Sequence, residues 1–491
     1  MAGTVGTNLV LALQAVALVP LFVARIGRRL FGGWMSTGDA LSWLQMLDLG
    51  MGPLLAQRMG AAQGREDEAE VGRWLGTGFA VMSLTTILAA SAGWFLAPAL
   101  AYGVGLRGGE ASLLIRAFRL GTFASALMLI QTPFTAYCRG TNRQSLAMFA
   151  LFAGSLVGFG LTVAMLLSGR GLVSIPAGVL ARNAVQIALN GLQIVLEKRA
   201  GILPPLRFDR RVLREQLRTM PVLALSSIAT LLATQGETLL VGLCLGVEAG
   251  LILSMTRRAV DVARSLVDSV AASTYGAFAH LAGSAEADRA PAVGRELVAI
   301  RNTLAVACAA GYIAVNPVLV PLWARPENYG GFLLTLLMGA QFLAAGWNLL
   351  VNSMLRATGE IVPGSWLLLA EAAIRLPLVW FALRTVGLAG LPAVTAVGSL
   401  AFGVLATRRL HNSFESRGIR EPHAPFQPAI WLVRAGILSL AALFGAFCPG
   451  HGWFYVLAAG GGSVAGAFLV QLRYESNMGR LRKLVHFSGL Q

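Results

Sequence analysis

Windows of about 20 predominantly apolar residues recur from one end of this 491-residue chain to the other, each long enough to cross a hydrocarbon layer as an α-helix. Hydrocarbon offers the backbone no water, so helices are the structure such windows form. We place fourteen spans, at 5–24, 36–59, 74–100, 112–137, 145–168, 172–195, 219–244, 249–276, 299–321, 331–355, 361–383, 387–407, 428–447 and 452–472. Charged residues make up 13% of the chain, against roughly 25% in ordinary soluble domains. The expected fold class is an all-α polytopic membrane protein. The first span has no Lys or Arg before it and no A-x-A-type cleavage site, and reads as a retained helix. Cys138, Cys244, Cys308 and Cys448 fall in or at the ends of spans without CxxC spacing, and point to neither disulfides nor zinc.

The formal charge of +16 is not spread as a nucleic-acid footprint would be. Lys198, Arg199, Arg207, Arg210, Arg211, Arg214 and Arg218 cluster before span seven, and residues 408–421 and 473–491 add more. All three segments follow an even number of spans, so the positive-inside bias places them and both termini in the cytoplasm. Arg25, Arg28 and Arg29 fall on the other side and run against that bias. Nucleic acid is not an expected partner; anionic lipids are, along the basic linker and tail.

The chain also resembles itself. A slide of 219 residues lays Gly27 on Gly246 and Gly64 on Gly283, and a slide of 217 lays Arg139 and Thr141 on Arg356 and Thr358. Two tandem six-helix lobes in the same orientation follow, a recurrent plan in secondary transporters. The expected divisions are a first lobe at 1–197, a basic cytoplasmic linker at 198–218 and a second lobe at 219–410. Residues 411–491 would hold a cytoplasmic loop, two appended lipid-facing helices and a basic tail.

The stretches PLFVARIGRRLFGGW (20–34) and LSWLQMLDLGMGPLLAQRMG (41–60), followed by a small acidic loop, resemble the start of bacterial polysaccharide flippases of the O-antigen and exopolysaccharide type. These belong to the multidrug/oligosaccharidyl-lipid/polysaccharide (MOP) superfamily, with the MATE drug exporters and the lipid II flippase. The resemblance implies a pair of six-helix lobes opening alternately to each side of the inner membrane. The implied cargo is an undecaprenyl-pyrophosphate-linked oligosaccharide for lipopolysaccharide or exopolysaccharide synthesis. A MATE-like, ion-coupled exporter of small organic cations is the alternative. With only Lys198 and Lys483 as lysines, the cations are almost all Arg, which suits bidentate phosphate recognition and also fits a GC-rich codon bias.

Charge inside a span must pair or reach water. Arg257, Asp261, Arg264 and Asp268 in span eight share one helix face through spacings of four, three and four. They form either an ion-pair ladder or a mixed site, in which an arginine meets pyrophosphate and an aspartate couples to a cation. Arg25 and Arg58 are further candidate anion contacts. Glu237 shares a face of span seven with Thr230 and Thr234 and has no cation within a turn, which makes it the first candidate for proton or sodium coupling. Asp48, in an apolar setting, is another coupling candidate, or else shapes a turn at Asp-Leu-Gly. Glu371 and Arg375, four residues apart, can satisfy one another.

Asn183, Gln186, Asn190, Gln193 and Glu197 form a polar stripe on span six, and Gln341, Asn348 and Asn352 form one on span ten. Carboxamides both donate and accept. The stripes are therefore sugar ligands or interhelical glue, and Asn183, Gln186, Asn190, Asn348 and Asn352 are the candidate sugar contacts. Gly154-x-x-x-Gly158 and Gly462-x-x-x-Gly466 read as packing motifs. No histidine is set for acid–base chemistry and no phosphate-cradling nucleotide loop appears, so neither an enzyme nor a bound cofactor or metal is expected, and an ion gradient or the membrane potential would drive transport. A polysaccharide polymerase complex is a possible partner.

Overall fold

The computed structural model describes residues 18–48, 50–140, 144–199, 206–234, 236–282, 287–358, 360–416, 418–419, 428–447 and 452–474. Most of the expected first span, the middle of the linker and the tail from residue 475 lie outside the described residues. Among the described residues every element is helical. Residues 18–26 form α1, followed by α2 (Arg28–Gln45), α3 (Met51–Gly64), α4 (Glu68–Gly103), α5 (Gly108–Gly140), α6 (Gln144–Leu167), α7 (Ser174–Arg199), α8 (Arg210–Thr234) and α9 (Glu237–Leu245). Then come α10 (Val247–Ala282), α11 (Ala290–Ala324), α12 (Phe332–Ala357), α13 (Ile361–Thr385), α14 (Gly390–Glu415), α15 (Pro428–Phe447) and α16 (Trp453–Tyr474).

Among the described residues, eight helices are long and apolar enough to cross a membrane by length and composition, and the protein is a multi-pass membrane protein. Two expected spans are not continuous helices. Span two is split by a 3-10 turn at Met46–Asp48 and by Gly50 at φ 78°. Span seven is split between α8 and α9 by Gly236 at φ 104°. Both angles lie where a side chain would be strained, so glycine ends one helix and admits the next. Span eight, by contrast, is the unbroken 36-residue α10, whose internal charges keep it from reading as purely apolar.

The internal repeat is visible in the turns. Gly27 and Gly246, 219 residues apart, adopt φ 90° and 91°, and Gly169 and Gly387, 218 apart, adopt 79° and 80°. The helices that follow the second pair, α7 and α14, each have 26 residues.

By contacts the chain falls into two compact units, Met1–Leu251 and Ile252–Gln491. In the first, small residues bring helices into close approach. A Cβ on Gly242 of α9 would lie 2.5 Å from Ser36 of α2, and one on Gly32 would meet the carbonyl of Val247. Gly154 and Gly158 of α6 admit the Arg182 and Gly178 carbonyls of α7, each 2.6 Å from where a Cβ would sit, so this pair packs as its spacing predicts. A core of Met51, Leu55, Met59, Trp74, Leu75 and Phe134 joins α3, α4 and α5. The end of the linker is anchored on α4: the Arg207 amide donates to the Gly72 carbonyl at 3.4 Å, and the Asp209 amide to Thr77 Oγ1 at 3.0 Å.

In the second unit α12 lies along α14, with Gly403 giving room to the Trp347 ring. The appended pair α15 and α16 packs on α11. Leu432, Leu440 and Phe447 of α15 point outward, but the contact side is polar: Arg434 Nε donates to Gln471 Oε1 at 3.2 Å, and Gln471 Nε2 to the Thr303 carbonyl at 3.2 Å. The Gly462-x-x-x-Gly466 expectation is overturned among the described residues, where nothing lies within 4 Å of a Cβ at either glycine. The close approach is made instead by Gly311 against Val464, at 2.5 Å.

Candidate functional site

The charged residues of α10 run through the second unit together with one arginine of α11. Arg257 Nε donates to Asp261 Oδ2 at 3.0 Å, the i,i+4 pair the spacing requires. Further along, Arg264 and Asp268 act electrostatically on Arg301 of α11. Arg301 is fully buried. Its Nη1 donates to the Leu343 carbonyl at 3.0 Å and its Nη2 to the Phe342 carbonyl at 3.1 Å, both on α12, and Gly346 leaves the space its guanidinium fills. The Nε–H groups of Arg264 and Arg301 are buried with no hydrogen-bond acceptor among the described residues.

With Arg258, the cluster holds four arginines against Asp261 and Asp268. A surplus of arginine over acid at partly buried positions attracts an anion, and guanidinium offers a planar array of donors to phosphate oxygens. Above the Arg257–Asp261 pair, Tyr312 Oη and Asn316 Nδ2 both donate to the Thr256 carbonyl, at 3.0 and 3.2 Å. Asn316 Nδ2 also reaches Thr335 Oγ1 at 3.1 Å, tying α10, α11 and α12 at that level.

Arg301, Arg258, Tyr312 and Asn316 are absent from the sequence reading. Placing span nine at 299–321 makes Arg301 a flanking residue free to reach water, whereas α11 begins at Ala290 and carries it into the interior. Arg301, the last charged residue of a 35-residue helix that carries Arg295 and Glu296 nearer its start and is apolar beyond Asn302 for several turns, was the available signal.

The other expected residues are spread between the units. On α7, Asn183 is fully buried and its Nδ2 donates to the Ala124 carbonyl of α5 at 2.6 Å, so the stripe meets another helix there. Glu197 accepts from Tyr137 Oη at 2.8 Å and from Gln193 Nε2 at 2.9 Å. Between these ends, Gln186 Nε2 and Asn190 Oδ1 are buried without a hydrogen-bond partner among the described residues. Arg58 pairs with Glu215 of α8 and lies over the Trp74 ring, 5.8 Å from its centroid. Arg25 is exposed at the end of α1, and neighbouring Arg29 pairs with Glu110 at 3.4 Å.

Asp48 Oδ1 accepts the Gly50 amide at 3.2 Å, which shapes the turn that starts α3. Glu237 does not continue a face of α8; it opens α9 after Gly236, where free backbone amides and the helix dipole favour a carboxylate. The side chains of Thr230 and Thr234 lie outside the described residues. Asn348, Asn352 and Glu371 form one buried group: Asn352 Nδ2 donates to Asn348 Oδ1 at 2.8 Å, Asn348 Nδ2 to Glu371 Oε2 at 2.6 Å, and Ser399 Oγ to Glu371 Oε1 at 2.7 Å. Arg375 stands 4.0 Å from Glu371.

The fold is similar to that of solved MATE and MOP-superfamily transporters. An inward-facing multidrug resistance MATE family transporter of that superfamily superposes with a TM-score of 0.60 at 13% identity, over 84% of this chain and 99% of its own. A MATE in complex with MaD3S gives 0.63 at 14% identity, over 84% and 95%. A MOP superfamily transporter from Pyrococcus furiosus, described as having a binding pocket of reverse polarity, gives 0.60 at 15% identity, over 85% and 93%. Comparison with curated proteins finds no match. Residues 62–323, more than half of the chain, match the model of the polysaccharide biosynthesis protein family, and the chain belongs to that family. The matched segment contains the whole α10 cluster and Arg301.

Proposed function

We propose that the protein moves an undecaprenyl-pyrophosphate-linked oligosaccharide from the inner to the outer leaflet of the bacterial inner membrane by alternating access, supplying surface polysaccharide synthesis. The observation that carries this reading is the surplus of arginine over aspartate in the partly buried cluster of α10 and the buried Arg301 of α11. In it, Arg264 and Arg301 meet the pyrophosphate, Arg257 and Arg258 extend the cationic track, and Arg25 receives the headgroup at the membrane surface. Arg58, engaged with Glu215 and Trp74, holds α3 to α8.

Gln186 and Asn190, each with an amide atom that has no partner among the described residues, join Asn183 as the candidate sugar contacts on α7. Asn348 and Asn352 position Glu371. Proton or sodium coupling is assigned first to Glu237, with Asp48, Asp261 and Asp268 as the other carboxylates on or near the route. Both termini and the basic linker are cytoplasmic in this reading.

The likeness to MATE folds keeps the export of small organic cations as a second reading, favoured by Asp261 and Asp268 and opposed by the arginine surplus. Proteoliposomes separate the two. With a fluorescent pyrophosphate-linked oligosaccharide as cargo, wild type transfers label between leaflets and Arg264→Ala loses transfer by about tenfold or more, the equivalent of one charge-assisted contact. Arg264→Lys keeps part of it. Full transfer by Arg264→Ala, or transport of an organic cation with no movement of the glycolipid, overturns the flippase reading.

A further inference from the structure

A second feature of the Ile252–Gln491 unit stands apart from the charged cluster. A groove of about 600 Å³ runs between α13 and α14, lined by Trp366, Leu367, Ala370 and Leu405, with Arg408, Arg409 and Asn412 at one end. Its walls belong to a strongly apolar outer surface, where Trp366 is 56% exposed and Leu405 43%. Such a face in a membrane helix is covered by lipid.

Two tryptophans stand on α13. Trp366 lies at the arginine end, and Trp380 lies 14 residues on, with the Arg384 guanidinium 4.4 Å from its ring centroid. At 1.5 Å per residue they are roughly 21 Å apart along the helix, within the length of a single span. Arg408 and Arg409 follow the last apolar turn of α14, where the end of a membrane helix meets the headgroups, at the end of an acyl-chain-sized slot.

The charge at this end is one-sided. Arg409 pairs with Glu360 at 3.2 Å and Glu415 is held by His411 at 3.2 Å, while Arg356 packs against Gly364 at the start of α13. Arg408 has no acidic partner among the described residues. We propose that the groove holds a resident phospholipid with an anionic headgroup: its phosphate meets Arg408, Arg409 and Asn412, and one acyl chain lies along Trp366, Ala370 and Leu405. The site is independent of the cargo and of the α10 cluster.

The test uses the purified full chain, stripped of lipid in detergent and titrated with dioleoyl phosphatidylglycerol or dioleoyl phosphatidylcholine, with bound lipid counted by native mass spectrometry. Wild type should retain phosphatidylglycerol about fivefold in preference, the size of an interfacial arginine's interaction with an anionic lipid. Arg408→Gln should bring phosphatidylglycerol down to the phosphatidylcholine level, and Arg408→Lys should keep most of the preference. Ala370→Trp, which fills the slot without touching charge, should lower retention of both lipids. Equal retention by wild type, an intact preference in Arg408→Gln, or unchanged retention in Ala370→Trp each overturns the site, and none of these readouts depends on what the protein transports.

Discussion

Asn348 donates its amide to Glu371 at 2.6 Å across the interface of α12 and α13, and so converts a carboxylate inside an apolar bundle into a structural joint. Ser399 of α14 takes the other oxygen at 2.7 Å, so three helices meet on one side chain. Asn348→Leu would leave a buried charged acceptor short of a donor, a loss of roughly 1–3 kcal/mol. The melting temperature in detergent should fall, and Glu371→Gln added to Asn348→Leu should recover part of the loss, since a neutral amide tolerates the missing partner better. A ligand role for Asn348 would give the opposite pattern, with transport lost and melting unchanged.

The seat of Arg301 makes a second prediction. Its Nη2 occupies the space over Gly346 and is held there by the Phe342 carbonyl. Gly346→Ala would push the guanidinium off two backbone acceptors, and overpacking of this kind costs about 1–3 kcal/mol. Thermal unfolding should show that loss, and glycolipid transfer should drop with it as Arg301 leaves the α10 cluster. Wild-type melting and transfer in Gly346→Ala would detach Arg301 from both roles.

The helical class, the tandem repeat and the Arg257–Asp261 pair were legible because they depend on spacing and apolar length, which sequence carries directly. The breaks at Gly50 and Gly236 were not, since a glycine among apolar residues reads equally as a helix-packing position; only its φ separates the two uses. Arg301 escaped because span edges are set by hydropathy, and a cation near an edge is read as flanking. The role of Asn348 was undecidable for a further reason: an amide spent on Glu371 and an amide offered to a sugar have the same residue type at the same period. Interhelical partners are long-range facts.

Gly158 and Gly462 test the meaning of the small-x-x-x-small spacing. A Cβ at Gly158 would lie 2.6 Å from the Gly178 carbonyl, whereas at Gly462 nothing among the described residues is within 4 Å. Gly158→Leu should separate α6 from α7 and sharply reduce the amount of folded protein recovered from membranes. Gly462→Leu should be recovered at wild-type levels with an unchanged melting temperature. Equal sensitivity at the two positions would contradict the packing of α16 described above.

Glu237 bears on how the cycle is driven. It stands in the first turn of α9, just after the left-handed Gly236, so its carboxylate sits where the helix dipole stabilises negative charge. Glu237→Gln keeps the shape and an acceptor oxygen and removes the charge. Its effect on stability should stay within about 1 kcal/mol, the usual size of a helix-terminus interaction. Coupling through this residue predicts a much larger effect on transport: in proteoliposomes with an imposed proton or sodium gradient, wild-type flux rises with the gradient and Glu237→Gln flux does not, while glycolipid binding is retained. Gradient-dependent flux in Glu237→Gln would remove it from the coupling route and leave Asp268, beside Arg264 and Arg301, as the carboxylate to substitute next.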